Sequence, residues 1–129
     1  MRLDMLEYAD QMGFDSVGVN EHHQNGYGMM PSPNLMVELS AEQVADLITA
    51  LTFHIGEVQR NPYHLSLPAW MIDNVRRGAE LVGGQGGAAP DFTFGTLYRL
   101  RKWTGGKLER VYDGGKFLSC AEKPESLFP

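Results

Sequence analysis

Apolar residues recur every third position at the start of the chain, at Leu3, Leu6, Ala9 and Met12, and Gly13 follows. That spacing predicts a helix stopped by the glycine. Phe14 to Asn20 then alternates apolar with small or polar residues, which predicts a short strand. Glu21 to Asn34, punctuated by Asn25-Gly26, Gly28, Pro31 and Pro33, predicts a loop. Ser40, with Gln43 three residues on, predicts an N-cap with a capping box. Val44, Leu47, Ile48, Leu51, Ile55 and Val58 share one helical face after it, so a helix should run to about Arg60, before Asn61-Pro62.

A second helix is expected from Pro68, a residue suited to a first turn, to Val82. Residues 83–90, Gly-Gly-Gln-Gly-Gly-Ala-Ala-Pro, read as a linker. Beyond it the period becomes two. Phe94–Trp103, Leu108–Tyr112 and Lys116–Cys120 predict a short antiparallel meander turning at Gly105-Gly106 and Gly114-Gly115. Glu122 to Pro129 reads as a frayed tail.

The opening segment carries a more specific signal. It runs Tyr8-Ala9-Asp10-Gln11-Met12-Gly13-Phe14-Asp15 into the strand pattern, then Glu21-His22-His23, a Gly-rich stretch and Ser32-Pro33-Asn34. This ordered series resembles the bacterial-luciferase-like flavin-dependent monooxygenases, and the resemblance covers residues 1–36. It implies a fragment of a (β/α)8 barrel, an α/β fold in which catalytic groups sit where strands end. Two helices and the meander would follow it. The division expected is a luciferase-like piece over 1–36 and an unassigned α+β segment over 37–129. The full barrel takes on the order of 250 residues, so the chain is expected to be truncated and to bind flavin weakly on its own.

The resemblance further implies reduced FMN as cofactor, O2 as co-substrate, a small-molecule substrate and a partner flavin reductase. It places Glu21, His22 and His23 at the cofactor, with His22 against the flavin ring as the catalytic residue. An imidazole suits that place because it exchanges protons near neutral pH. The other reading is a small α+β interaction domain without chemistry, fused to a remnant of the barrel.

Charge narrows the classes. At 129 residues with a net charge of -5, the chain lacks the clustered Lys and Arg that nucleic acids or anionic membranes select. Arg99, Arg101 and Lys102 are the densest basic group and read as a solvated strand face. Cys120 is the single cysteine, which excludes an internal disulfide and fits a cytoplasmic setting. No apolar run approaches a membrane span.

His54, Glu57 and His64 could be joined with the His22-His23 pair in a metal site, but no metal-ligand spacing such as HExxH occurs, so none is expected. Gly84-Gln85-Gly86-Gly87-Ala88-Ala89 satisfies a dinucleotide fingerprint formally. It follows a helix instead of a strand, which favours the linker reading.

Overall fold

Leu-Met-Val-Glu-Leu at residues 35–39 combines strand-forming residues with side chains that must bury on both faces, and it forms the central strand β1 (Leu35–Leu39). The structure is a computed structural model that describes residues 3–14 and 33–128. Its remaining elements are α1 (Leu3–Gln11), α2 (Ala41–Thr52), α3 (Ile55–Arg60), α4 (Tyr63–Gly83), β2 (Phe94–Tyr98), β3 (Arg101–Thr104), β4 (Lys107–Arg110), β5 (Lys116–Leu118) and a 3-10 turn at Pro124–Leu127. One sheet has the order β2-β1-β5, and β3 pairs with β4 in a separate hairpin.

This is a small α+β arrangement, and it overturns the expected barrel fragment followed by two helices and a meander. A barrel is built from adjacent parallel strands. Here β1 runs antiparallel to β2, in the register Leu35↔Tyr98 to Leu39↔Phe94. Its parallel neighbour is β5, with Leu35↔Lys116 and Val37↔Leu118. The meander is likewise reduced to the β3–β4 hairpin, because β5 leaves it to join β1. The strand expected over Phe14–Asn20 lies outside the described residues except for Phe14, whose N–H closes the end of α1 on Ala9 O at 3.1 Å. The helix before it forms as predicted, with Gly13 at φ 78 ending it.

The capping box also forms as predicted: Gln43 N–H donates to Ser40 Oγ at 3.2 Å, and Ser40 N–H donates to Gln43 Oε1 at 2.8 Å. The single helix expected after it divides. Thr52 Oγ1 donates to Thr49 O at 2.6 Å and Phe53 N–H turns back to Ala50 O, so α2 closes before His54 restarts the chain as the N-cap of α3. Helix α4 starts at Tyr63, earlier than Pro68 suggested. Pro68 has no N–H to give His64 O. The turn holds because Leu65 and Ser66 N–H donate to Pro62 O, and because the Tyr63 and Trp70 rings pack 5.9 Å apart across the proline.

The core lies on both faces of β1. Met36, fully buried, meets Val75 and Val82 of α4, with Phe92, Leu97 and Phe117 closing around it. Gly78 lets α4 approach this closely: a Cβ there would collide with the Met36 methyl and with Leu97. On the opposite face Leu35 packs with Leu118 and Leu127, flanked by Val37 and Leu100. The tail is therefore anchored where fraying was expected, since the 3-10 turn seats Leu127 at 6% exposure. Burying a side chain of this size contributes roughly 1.5–3 kcal/mol.

Candidate functional site

Asn34 stands where β1 begins, and its backbone and side chain tie three separate parts of the chain together. Its N–H donates to Tyr98 O at 2.9 Å, and its own carbonyl accepts from Lys116 N–H at 2.9 Å. The carboxamide grips Leu100 at both ends: Nδ2 donates to Leu100 O at 3.1 Å, while Oδ1 accepts from Leu100 N–H at 2.7 Å. Tyr112 Oη adds a bond to Asn34 O at 3.1 Å. An asparagine can satisfy a backbone N–H and C=O together because its amide carries one donor group and one acceptor.

Two clefts border this clamp, and Pro33 and Asn34 line both. The first, of about 280 Å³, lies against the end of α4 and is lined by Leu81, Val82, Gly83 and Gly84 together with Gly114 and Gly115. The second, of about 310 Å³, faces the hairpin, and Arg99, Arg101, Arg110 and Tyr112 form its wall. Gly115 brings its chain close to the Val82 carbonyl, and a Cβ there would collide with it. The hairpin closes through Gly105 and Gly106, both at positive φ (54° and 80°), as a two-residue turn of the kind that matches strand twist.

Arg99 and Arg101 are half-buried and line the second cleft, whereas Lys102 is exposed. Arg101 pairs directly with Arg110 across the ladder, whereas its neighbour Lys102 pairs with Glu109. Successive residues of a strand face opposite sides, so one face of the hairpin carries matched charges and the other carries like charges. Arg110 also lies 3.9 Å from Asp113, whose side chain is fully exposed. Lys116 Nζ sits 5.2 Å from the Tyr112 ring centroid. Partial burial pushes the Tyr112 phenol up from its ordinary value, keeping it a neutral donor to Asn34.

Glu21, His22 and His23, the residues expected at the cofactor, lie outside the described residues, as does Ser32. Pro33 and Asn34 from the same motif are described and line both clefts. His54 stands at the N-cap position of α3 without a side-chain cap bond, and Glu57 pairs with Arg60. His64 Nδ1 is buried without a partner. Among the described residues there is no group of three or more His, Cys, Asp or Glu side chains able to hold a metal ion.

The 84–89 glycines follow α4, and Gly87 N–H folds back on Gly84 O at 2.9 Å. This is a turn, not a strand-to-helix phosphate loop. Cys120 N–H donates to Glu38 Oε2 at 2.9 Å. Desolvation and then the Glu38 carboxylate raise the thiol's pKa, which disfavours the reactive thiolate. No helix among the described residues is long and apolar enough to cross a membrane.

Sequence comparison places the chain beside an oxygenase. It is 27% identical over 93 residues to the 4-hydroxyprotoasukamycin monooxygenase of Streptomyces nodosus subsp. asukaensis, a stretch that takes in 68% of this chain. That stretch is longer than the 36 residues carrying the Glu-His-His motif. It amounts to 24% of the length of the relative, so the chain spans about a quarter of that protein. The relationship is thus distant and monooxygenase-like. No family model matches the chain, and no solved structure matches it.

Proposed function

We propose that this chain belongs to the machinery of a flavin-dependent, luciferase-like monooxygenase, in which His22 transfers a proton beside a reduced flavin. The observation that carries this reading is the likeness to a curated monooxygenase. The Glu21-His22-His23 motif supplies the flavin part of it. Reduced FMN would supply the electrons for O2 activation, and the residues of the chain would position the ring, exchange protons and exclude water. Glu21 and His23 would help to hold the cofactor, and a small-molecule substrate and a flavin reductase would complete the system. The proposal rests on residues 21–23 and not on the residues that line the two described clefts.

The test grafts residues 1–36 into an intact luciferase-like monooxygenase. His22→Ala should slow oxygenation by about 10²–10⁴-fold, the usual contribution of a general acid or base, and leave flavin affinity nearly unchanged. His23→Ala should cost less in rate. Equal, small losses for the two variants would overturn the role given to His22. The isolated chain is expected to bind FMN weakly, and saturable binding at micromolar concentration in a fluorescence titration would contradict that.

A further inference from the structure

Both feet of the β3–β4 hairpin return to Asn34, but they are attached in different ways. Leu100, the residue before β3, is held by the Asn34 carboxamide at its N–H and its C=O, and it packs on the Leu35, Leu118 and Leu127 cluster. Tyr112, just beyond β4, is held by one hydroxyl bond, from Oη to the Asn34 carbonyl at 3.1 Å. Lys116 of β5 supports its ring, with Nζ 5.2 Å from the centroid. Val111 to Gly115 carries no helix or strand, and Gly114 lies there at φ 76. Glycine gives such a segment the freedom to change its path. Between the feet, every residue of β4 is exposed, and Trp103, the cross-strand partner of Leu108, is only half-buried. A two-stranded ribbon is marginally stable by itself, and elements that bury little apolar surface are the ones that open locally. Arg101, Arg110 and Tyr112 line the 310 Å³ cleft together with Pro33 and Asn34. Any movement of the ribbon therefore changes that cleft.

We propose that the β3–β4 hairpin is a hinged flap on the 310 Å³ cleft, pivoting at Leu100 and latched by the Tyr112 hydroxyl on the Asn34 carbonyl. The structure holds the closed form. Opening breaks the Tyr112–Asn34 bond and lets the segment from Val111 to Gly115 change its path. The ladder between β3 and β4 persists, as do both bonds between Asn34 and Leu100, so the ribbon moves as a unit. The sheet of β2, β1 and β5 under α4 keeps its packing, because the pivot is fixed to it through Asn34 and the Leu35 cluster. Motions of this kind take place at a few residues at the ends of elements, which absorb the change in backbone angle. The proposal is independent of the flavin reading, since it uses no residue before Pro33.

Native-state hydrogen exchange of the full chain, followed residue by residue by NMR, tests it. In the wild type the ladder amides of β3 and β4 should share one protection factor, on the order of 100-fold below those of Met36 and Val37. Tyr112→Phe removes only the latch. It should speed exchange in both strands of the hairpin together by about 2–10-fold, the worth of one net hydrogen bond. Leu100, β1 and α4 should be unchanged in that variant, which also shows that it is folded. Tyr98→Phe deletes a hydroxyl from an exposed ring on β2 and should leave the hairpin as it is. Protection in the hairpin equal to that in β1 would overturn the proposal, and so would a Tyr112→Phe variant with unchanged hairpin exchange. Acceleration that spreads to Leu100 and β1, or that Tyr98→Phe reproduces, would equally overturn it.

Discussion

The layer of α4 on the β2-β1-β5 sheet and the β3–β4 hairpin are built from similarly short strands, yet they bury their residues differently. In the first, Met36 is fully buried and Val75, Ala79 and Val82 are all below 10% exposure. In the second, every residue of β4 is exposed, Leu108 at 51% included. The sheet is held by packing, which is non-directional and scales with area. The hairpin is held by its ladder, its Gly-Gly turn and the grip of Asn34 on Leu100 just before it. A region held this way can carry unfavourable charge on one face without threatening the fold, and there the arginines collect.

The largest effect expected from breaking this contrast comes from the packed side. Met36→Ala removes a side chain enclosed by α4 and both neighbouring strands, and Gly78 beneath it adds no atoms to refill the space. The loss should be about 2–5 kcal/mol, as for other large-to-small core changes. Leu108→Ala in the hairpin should stay within about 0.5 kcal/mol, the usual range for surface positions. Chemical denaturation of both variants measures the difference, and equal losses would mean that the hairpin is packed in solution.

These regions were also unequally legible in the sequence. Local chemistry was readable: the Ser40–Gln43 box, the Gly13 stop and the Gly105-Gly106 turn depend on residues within a few positions of each other. What sequence spacing did not contain was which strand would pair with which. Leu35–Leu39 carries no strand alternation because its side chains bury on both faces, and it adjoins the residues that carry the luciferase-like resemblance. The helix begins before Pro68 because the Tyr63–Trp70 contact and the Pro62 carbonyl extend it past a residue that usually opens one. Of the expected site, Glu21, His22 and His23 lie outside the described residues. Asn34 is legible only as part of a motif, because its clamp on Leu100, sixty-six positions away, leaves no local trace. The arginine cleft did leave one: Arg101 and Arg110 stand symmetrically about Gly105-Gly106, so a two-residue turn there makes them partners.

Asn34 joins the two regions, and its removal should come next in size. Asn34→Ala deletes both side-chain bonds to Leu100 and leaves a half-buried N–H and C=O to find water. At about 1 kcal/mol for each net hydrogen bond, the expected loss is about 2 kcal/mol. Hydrogen exchange should show it concentrated at Leu100 and in β3, with Val75 to Val82 little changed. Uniform loss of protection would show that the clamp serves the core more than the hairpin. Ser40→Ala is smaller and confined to α2: loss of the cap costs about 1 kcal/mol, read from the denaturation midpoint, and an unchanged midpoint would mean that α2 does not depend on its cap.

The smallest effect is the most pointed. Arg110→Gln removes an exposed ion pair with Asp113, worth at most a few tenths of a kcal/mol. The same change relieves the repulsion from Arg101, directly across the ladder. Cross-strand charge pairs contribute on the order of 0.2–1 kcal/mol, so the two effects oppose each other and the repulsion is the larger. The unliganded variant should therefore be as stable as the wild type or slightly more stable, within about 0.5 kcal/mol. Raising the salt concentration should shrink the difference, because screening acts on exposed charges. In the packed layer no truncation on this scale would be neutral. If Arg110→Gln instead destabilised the chain by more than about 1 kcal/mol, Arg110 would be supporting the fold through its stem or its ion pair. The charge pattern of the hairpin would then have a structural explanation.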